Sequence, residues 1–178
     1  MKRGEFIFDI DIQFDDISIT SIERDDILLV QNWLDFQSSF CIDIEEPFDK
    51  KEFYNRFIEY YVSECEFFLK IQSQGKVIGV MKGRVEFKNP NEVWISYFLL
   101  DRSVRCKGLG SAIFIRVSKY FDNSYGIHNI YISVAENDTR AIKFWLKNNF
   151  ELKRVSKNFF NINGNATNML ILKNIKEN

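Results

Sequence analysis

The sequence has little of several residue types that mark particular classes of protein. Among its 178 residues there are two prolines, one histidine and three cysteines. With so little proline, no proline-rich linker divides the chain, and a single domain over residues 1–178 is the simplest prediction. The cysteines Cys41, Cys65 and Cys106 form no CxxC pair and His128 stands alone, so we expect no metal site.

A charge excess and a long apolar run are also missing. The chain has 25 acidic and 24 basic residues, whereas proteins that bind nucleic acid usually carry a basic excess, so no nucleic-acid partner is expected. No apolar stretch approaches the roughly 20 residues that span a bilayer. Asp9 and Asp11 interrupt the N-terminal segment, which therefore does not resemble a signal peptide. We expect a cytoplasmic protein with no membrane partner.

Apolar and aromatic residues are plentiful. The composition is 46% hydrophobic and 16% aromatic, which is too apolar for a disordered chain. A chain of this length can bury about two thirds of its unfolded surface, so it needs neither disulfides nor a metal for stability. The remaining aromatic residues are available for a pocket or an interface, and this excess is compatible with a homodimer.

Hydrophobic periodicity predicts a mixed α/β fold. Four helices are expected: one capped by Asp25 or Asp26, one starting at Asp49, one with Ile113, Phe114, Val117 and Phe121 on its apolar face, and one over Asn137–Asn148 with Ala141, Trp145 and Leu146 facing inward. Asn163-Gly164 is a predicted turn. The predicted strands are Ile17–Ile22, Phe67–Gln72, Lys76–Phe87, Val93–Leu100 (buried on both faces), Ile130–Val134, Phe150–Val155 and Ala166–Leu172.

The segment that follows Val93–Leu100 is the most informative for function. A buried strand runs through a short loop with Gly108 and Gly110 directly into a helix. Free backbone N–H groups and the helix dipole make such a junction an anion site. Glycine lets the backbone approach the anion closely, and the side chains of Arg105 and Lys107 add positive charge.

Two stronger phosphate motifs are absent. The loop lacks GxxxxGK[ST], and Ile113 occupies the third small position of a dinucleotide fingerprint. Arg105-Cys106-Lys107-Gly108-Leu109-Gly110 instead resembles the Q/R-x-x-G-x-G/A signature of the GCN5-related N-acetyltransferase (GNAT) superfamily. Downstream, the segment Asn137–Phe150 is similar to the family's N-x-x-x-A-x-x-x-Y-x-x-x-G-F.

The resemblance implies a GNAT-type fold and a cofactor. The expected fold is a mixed, mostly antiparallel twisted sheet of six or seven strands flanked by about four helices, with residues 1–16 as an N-terminal extension. The implied co-substrate is acetyl-CoA. Its expected contacts are with the strand end, the loop and the last helix: Phe98, Leu99, Leu100, Arg105, Cys106, Lys107, Gly108, Leu109, Gly110, Ser111, Asn137, Ala141, Phe144 and Trp145.

The chain departs from the family pattern where a tyrosine usually helps the thiolate to leave. Trp145 occupies that position, and an indole N–H can donate a hydrogen bond but cannot act as a general acid. Tyr97 and Tyr131 are the alternative candidates, although either can equally be a core aromatic residue. Asn149 replaces the usual glycine and is compatible with a left-handed helix end. Asn137 is expected to cap the helix and to contact the cofactor.

The implied activity is transfer of the acetyl group to a primary amine of a small cationic molecule or a peptide, by direct transfer in a ternary complex. Asp43, Glu45 and Glu46 are candidate acceptor-binding residues because acidic side chains attract cations at range. The alternative is a non-catalytic acyl-CoA-binding or regulatory module of the same fold, which Trp145 favours. Acetyl transfer to an amine separates the two hypotheses.

Overall fold

The computed structural model describes residues 8–38, 49–162 and 165–175. The chain divides into two compact units. The first comprises Met1–Gly83 and Tyr97–Gly110, and the second comprises Arg84–Ser96 and Ser111–Asn178. The predicted acceptor residues Asp43, Glu45 and Glu46 and the predicted turn Asn163-Gly164 lie outside the described residues.

The described residues form eight strands and four α-helices. In chain order the elements are β1 (Asp11–Phe14), β2 (Ile17–Ser21), a 3-10 helix (Arg24–Asp26), α1 (Ile27–Ser38), α2 (Lys50–Val62), β3 (Glu66–Ser73), β4 (Lys76–Glu86), β5 (Glu92–Leu100), a second 3-10 helix (Arg102–Val104), α3 (Leu109–Tyr125), β6 (Asn129–Ala135), α4 (Thr139–Lys147), β7 (Phe150–Ile162) and β8 (Asn165–Asn174).

In the first unit the strand order is β1-β2-β3-β4-β5. Strand β2 pairs antiparallel with β1 and with β3, where Ile19 lies opposite Ile71. Helices α1 and α2 share a buried core with strands of this unit, as amphipathic helices do. Its buried members are Ile22, Ile27, Val30, Leu34, Phe53, Phe57, Tyr60, Phe68 and Val80.

Strand β1 is the element that the sequence analysis missed. Asp11–Phe14 pairs with β2, and the preceding Phe8 and Ile10 are buried. The segment was assigned to an N-terminal extension, although its apolar residues alternate as in a strand. The prediction of a mixed, mostly antiparallel sheet is confirmed, with eight strands in place of six or seven.

In the second unit the strand order is β5-β6-β8-β7. Strands β5 and β6 pair in parallel from Glu92 opposite Asn129 to Ile95 opposite Ile132, whereas β8 is antiparallel to both β6 and β7. The predicted crossover is therefore present, with α3 connecting two parallel strands. The four predicted apolar residues of α3 are buried, namely Ile113, Phe114, Val117 and Phe121.

Two side-chain predictions are wrong. Strand β5 is not buried on both faces, since Ser96 and Tyr97 are both exposed. Two consecutive exposed residues also break the strict alternation of a strand. On α4, Leu146 is 51% exposed and does not face inward as predicted.

The predicted cap at Asp25 or Asp26 is also displaced. The first 3-10 helix begins after Glu23, which is its N-cap and forms a capping box with Asp26, whose carboxylate accepts from the N–H of Glu23 at 3.0 Å.

Asp49 caps α2 as the sequence predicts. Its carboxylate accepts hydrogen bonds from the N–H groups of Lys51 and Glu52 at 2.8 and 3.1 Å. Asp49→Ala should lower the free energy of unfolding by about 1 kcal/mol, because both donors lose their acceptor. Urea denaturation measures the change, and Asp49→Asn, which retains an acceptor oxygen, is the matched control. Equal stability of the Ala variant and the unaltered protein would contradict the assignment.

Candidate functional site

The end of β5 is anchored to the neighbouring strand. The N–H of Asp101 donates to the carbonyl of Ile78 at 2.7 Å. The Asp101 carboxylate accepts from the N–H and the hydroxyl of Ser103, at 2.8 and 2.6 Å, and so caps the 3-10 helix Arg102–Val104. These bonds fix the point where the strand turns into the loop.

The loop itself has an unusual backbone. Cys106 and Gly108 have φ angles of 61° and 84°, which lie in the left-handed region. The φ angle of Lys107, between them, is not in that region. Where left-handed and right-handed residues alternate, successive N–H groups can turn toward one side, an arrangement that binds anions in proteins. A Cβ on Gly108 would meet no atom within 4 Å, so the backbone there is open to a ligand. Cys106 and Lys107 are exposed.

Helix α3 begins at Leu109, directly after this loop. Among the described residues, the N–H groups of Gly108, Leu109 and Gly110 have no protein acceptor. The first N–H groups of a helix never have an intrahelical acceptor, and the helix dipole adds partial positive charge at the same end. Ser111 continues the helix as the first residue of the second unit.

Arg105 places a cation next to the N-terminus of α3. Its Nε donates to the carbonyl of Leu100 at 2.7 Å, and the side chain is half-buried. One hydrogen bond through Nε holds the planar guanidinium at the junction of strand and loop. A guanidinium is always charged and suits phosphate oxygens geometrically. Of the two predicted cations of the loop, Arg105 is held by a hydrogen bond and Lys107 is exposed.

The last residues of β5 lie beyond its ladder with β6. That ladder ends at Ile95, and the strand continues to Leu100. Tyr97 is 42% exposed, Phe98 and Leu99 are half-buried, and Leu100 is buried. The three strand-end residues predicted to contact the cofactor, Phe98, Leu99 and Leu100, therefore lie directly before the loop.

The second unit places the other predicted residues on or near α4. The predicted helix cap at Asn137 is wrong: Asp138 is the N-cap, and its carboxylate accepts from the N–H of Ala141 at 2.9 Å. Asn137 is exposed one residue earlier, and its carbonyl accepts from the N–H of Thr139 at 3.0 Å. Without a capping role, its side chain stays a candidate for cofactor contact alone. Ala141 is half-buried.

Trp145 lies in an aromatic cluster and is only 6% exposed. The centroid of its ring system is 5.5 Å from Phe114, 4.8 Å from Phe144 and 4.9 Å from Phe150. Such edge-to-face contacts stabilise a core beyond simple burial. Trp145 is therefore a core residue of the second unit. Asn149 adopts the predicted left-handed conformation, with a φ of 60°.

The tyrosine candidates differ in their surroundings. Tyr131 is half-buried, its ring stacks on Trp94 at 4.9 Å, and Lys173 lies 5.4 Å from the ring centroid. Tyr97, in the first unit, is the more exposed of the two. Glu136 lies three residues before α4, and its carboxylate accepts a hydrogen bond at 2.7 Å from the side-chain amide of Asn168.

One acidic cavity in the first unit was not expected from the sequence. It has a volume of about 430 Å³ and is lined by Asp9, Ile10, Asp11, Thr20, Ser21, Glu23, Asp25, Asp26 and Lys70. The ammonium group of Lys70 pairs with Asp26 at 2.5 Å. The acidic residues of the cavity come from β1, from the segment before β1 and from residues 23–26 after β2.

Two features are absent from the residues that the structure describes. No group of three or more His, Cys, Asp or Glu side chains there is arranged to hold a metal ion. No helix in those ranges is both long and apolar enough to cross a bilayer.

Comparison with known proteins defines the family. Residues 19–171 match the family model described as the acetyltransferase (GNAT) domain. Because the match covers most of the sequence, the chain belongs to the GNAT acetyltransferase family. A sequence comparison with curated proteins gives no significant match.

Three solved structures illustrate the fold similarity. Spermidine N-acetyltransferase from Vibrio cholerae, in complex with CoA and spermine, is 17% identical, with 89% of this chain and 94% of that one covered and a TM-score of 0.73. The Salmonella typhimurium enzyme that modifies the N-terminal serine of ribosomal protein L7/L12 is 15% identical, with 92% of this chain and 97% of that one covered and a TM-score of 0.77. The ribosomal-protein-S5-alanine acetyltransferase from Vibrio fischeri is 15% identical, with 96% of this chain and 98% of that one covered and a TM-score of 0.74. At these identities the likeness establishes the fold.

The aromatic cluster around Trp145 makes a stability prediction. Trp145→Ala should lower the free energy of unfolding by about 3–5 kcal/mol, since it leaves a cavity among three phenylalanine rings. Leu146→Ala is the adjacent control, and at an exposed position it should change stability by only about 0.5 kcal/mol. Urea denaturation compares the two. Similar losses in both variants would contradict the core assignment of Trp145.

Proposed function

We propose that the chain is an N-acetyltransferase that moves the acetyl group of acetyl-CoA to a primary amine, by direct transfer in a ternary complex. The observation that carries the proposal is the set of N–H groups at Gly108, Leu109 and Gly110, which lack protein acceptors among the described residues and lie at a helix N-terminus. A pyrophosphate supplies acceptor oxygens and negative charge for such donors.

The described residues fit the phosphate part of CoA. The loop backbone at residues 106–110 and the guanidinium of Arg105 would hold the pyrophosphate, and Lys107 would add a second cation. Phe98, Leu99 and Leu100 would hold the pantetheine arm through their backbone, as in the family. Ser111, Asn137, Ala141, Phe144 and Trp145 are assigned to the same ligand by the motif resemblance.

Acetyl-CoA supplies an acetyl thioester when bound. The chain's own task is to orient it, to accept a neutral amine and to supply a proton to the departing thiolate. Of the two candidate proton donors, Tyr97 and Tyr131, Tyr97 is favoured by its exposure on the strand end. Trp145 is not a proton donor of this kind, because an indole cannot act as a general acid and its ring is buried in the aromatic cluster.

The charge distribution supports a cationic acceptor. The first unit contains 18 acidic and 12 basic residues, giving a net charge of −6, whereas the second contains 7 and 12, giving +5. An acidic surface raises the local concentration of cations. The structural neighbours include enzymes named for spermidine and for a ribosomal N-terminal serine, both amine acceptors. Asp43, Glu45 and Glu46, which belong to the acidic unit, stay the proposed acceptor residues.

A second candidate function is a non-catalytic acyl-CoA-binding or regulatory module. Burial of Trp145 in the aromatic cluster favours it, because the usual tyrosine is lost there. Both functions require cofactor binding, and only the enzyme acetylates an amine. A panel of polyamines, aminoglycosides and N-terminal peptides, assayed by release of free CoA thiol, separates them. Acetyl-CoA binding without transfer to any amine would favour the module.

Arg105 gives a direct test of cofactor binding. Arg105→Ala should weaken acetyl-CoA binding by about tenfold, because a charge-assisted contact to phosphate is lost. Isothermal titration calorimetry measures the dissociation constant. Arg102→Ala is the matched control: it removes the same charge from the exposed 3-10 helix three residues earlier and should change the constant by less than about twofold. Equal effects of the two substitutions would contradict a specific role for Arg105.

A further inference from the structure

Gly79 on β4 lies unusually close to the end of β5. A Cβ at this position would lie 2.5 Å from Cδ2 of Leu100, 2.7 Å from the carbonyl oxygen of Leu99 and 3.2 Å from Cδ1 of Ile71. Its φ is not in the left-handed region, so the backbone conformation does not require glycine. The requirement is steric: any side chain here would collide with the last residues of β5.

The contact with the Leu99 carbonyl decides the consequence. The side-chain carbons of Leu100 and Ile71 can move by a change of rotamer, whereas a backbone oxygen moves only with its strand. Close packing leaves no space into which an added methyl group can relax without such a shift. A methyl group at residue 79 would therefore displace the Leu99–Leu100 backbone.

The loop has an anchor of its own beside this contact. Asp101 donates its N–H to the carbonyl of Ile78, the residue before Gly79, and its carboxylate caps the following 3-10 helix. Neither bond involves an atom that the new methyl group would contact. Nε of Arg105 also donates to the carbonyl of Leu100, and this flexible side chain can follow a small shift of that oxygen by a change of rotamer. The expected displacement is therefore largest at the strand end, and the backbone of Cys106–Gly110 keeps its conformation.

We propose that Gly79 is a positioning residue for the cofactor: the missing side chain lets β4 lie against the Leu99 carbonyl and so sets the strand end that holds the pantetheine arm. This inference rests on the proposed function. It extends the site to a strand that neither motif includes. Gly79 touches no ligand in this account and acts only through Leu99 and Leu100.

The test compares two ligands by calorimetry. Acetyl-CoA engages both the loop and the strand end, whereas adenosine 3′-phosphate 5′-diphosphate carries the pyrophosphate without the pantetheine arm. Gly79→Ala should weaken acetyl-CoA binding by about tenfold, because small misplacements of a binding group are costly. Binding of the nucleotide fragment should change by less than about twofold, because the loop is intact.

Gly75→Ala is the matched control in the same unit. Gly75 has a φ of 76° in the β3–β4 turn, and its Cβ would meet no atom within 4 Å. The substitution strains the backbone and lowers stability without pressing on β5. Both ligands should then bind as they do to the unaltered protein. Selective loss of acetyl-CoA binding in this variant would overturn the inference, since it would follow from reduced stability alone.

A double variant keeps the test informative if Gly79→Ala folds poorly. In Gly79→Ala/Leu100→Ala the 2.5 Å side-chain contact is removed and the contact with the Leu99 oxygen is retained. Compared with Leu100→Ala alone, it should show the same selective loss of acetyl-CoA binding. Unchanged binding, or equal losses for both ligands, would overturn the inference while leaving the proposed function intact. If the unaltered protein bound no acetyl-CoA, both would be overturned.

Discussion

The structure of the candidate site depends on the unpaired N–H groups where the β5 loop enters α3. A helix cannot satisfy its first N–H groups internally. Here the left-handed residues Cys106 and Gly108 precede the helix, and the structure records no protein acceptor for the N–H groups of Gly108, Leu109 and Gly110 among the residues it describes. Such donors can bind an anion from outside, and this is the basis of the proposed phosphate-bearing co-substrate.

The donors are useful only if their position is fixed, and two hydrogen bonds of 2.7 Å hold the segment that precedes them. The N–H of Asp101 donates to the carbonyl of Ile78, and Nε of Arg105 donates to the carbonyl of Leu100. Gly79 acts on the strand end alone, where it lets β4 approach Leu99. A site whose donors are already in place binds with less ordering cost than one that forms around its ligand.

Local patterns predicted most of the fold and the loop. Periodicity located α2, α3 and β6, and glycine spacing located the loop between β5 and α3. The sequence analysis missed β1 because its alternating residues were assigned to an extension, and it misplaced the α4 cap because Asn137 and Asp138 are both good caps. The steric role of Gly79 and the aromatic surroundings of Trp145 depend on contacts between residues distant in sequence, which no local pattern specifies.

Backbone amide NMR during a titration with CoA tests the central claim most directly. The account predicts that the largest chemical-shift changes occur at the amides of Cys106–Gly110, because these N–H groups gain phosphate acceptors. The same residues should show little change with pantetheine alone, which lacks phosphate. Shifts that are absent from this loop while CoA binds elsewhere would contradict the account, since the unpaired amides would then not be the phosphate site.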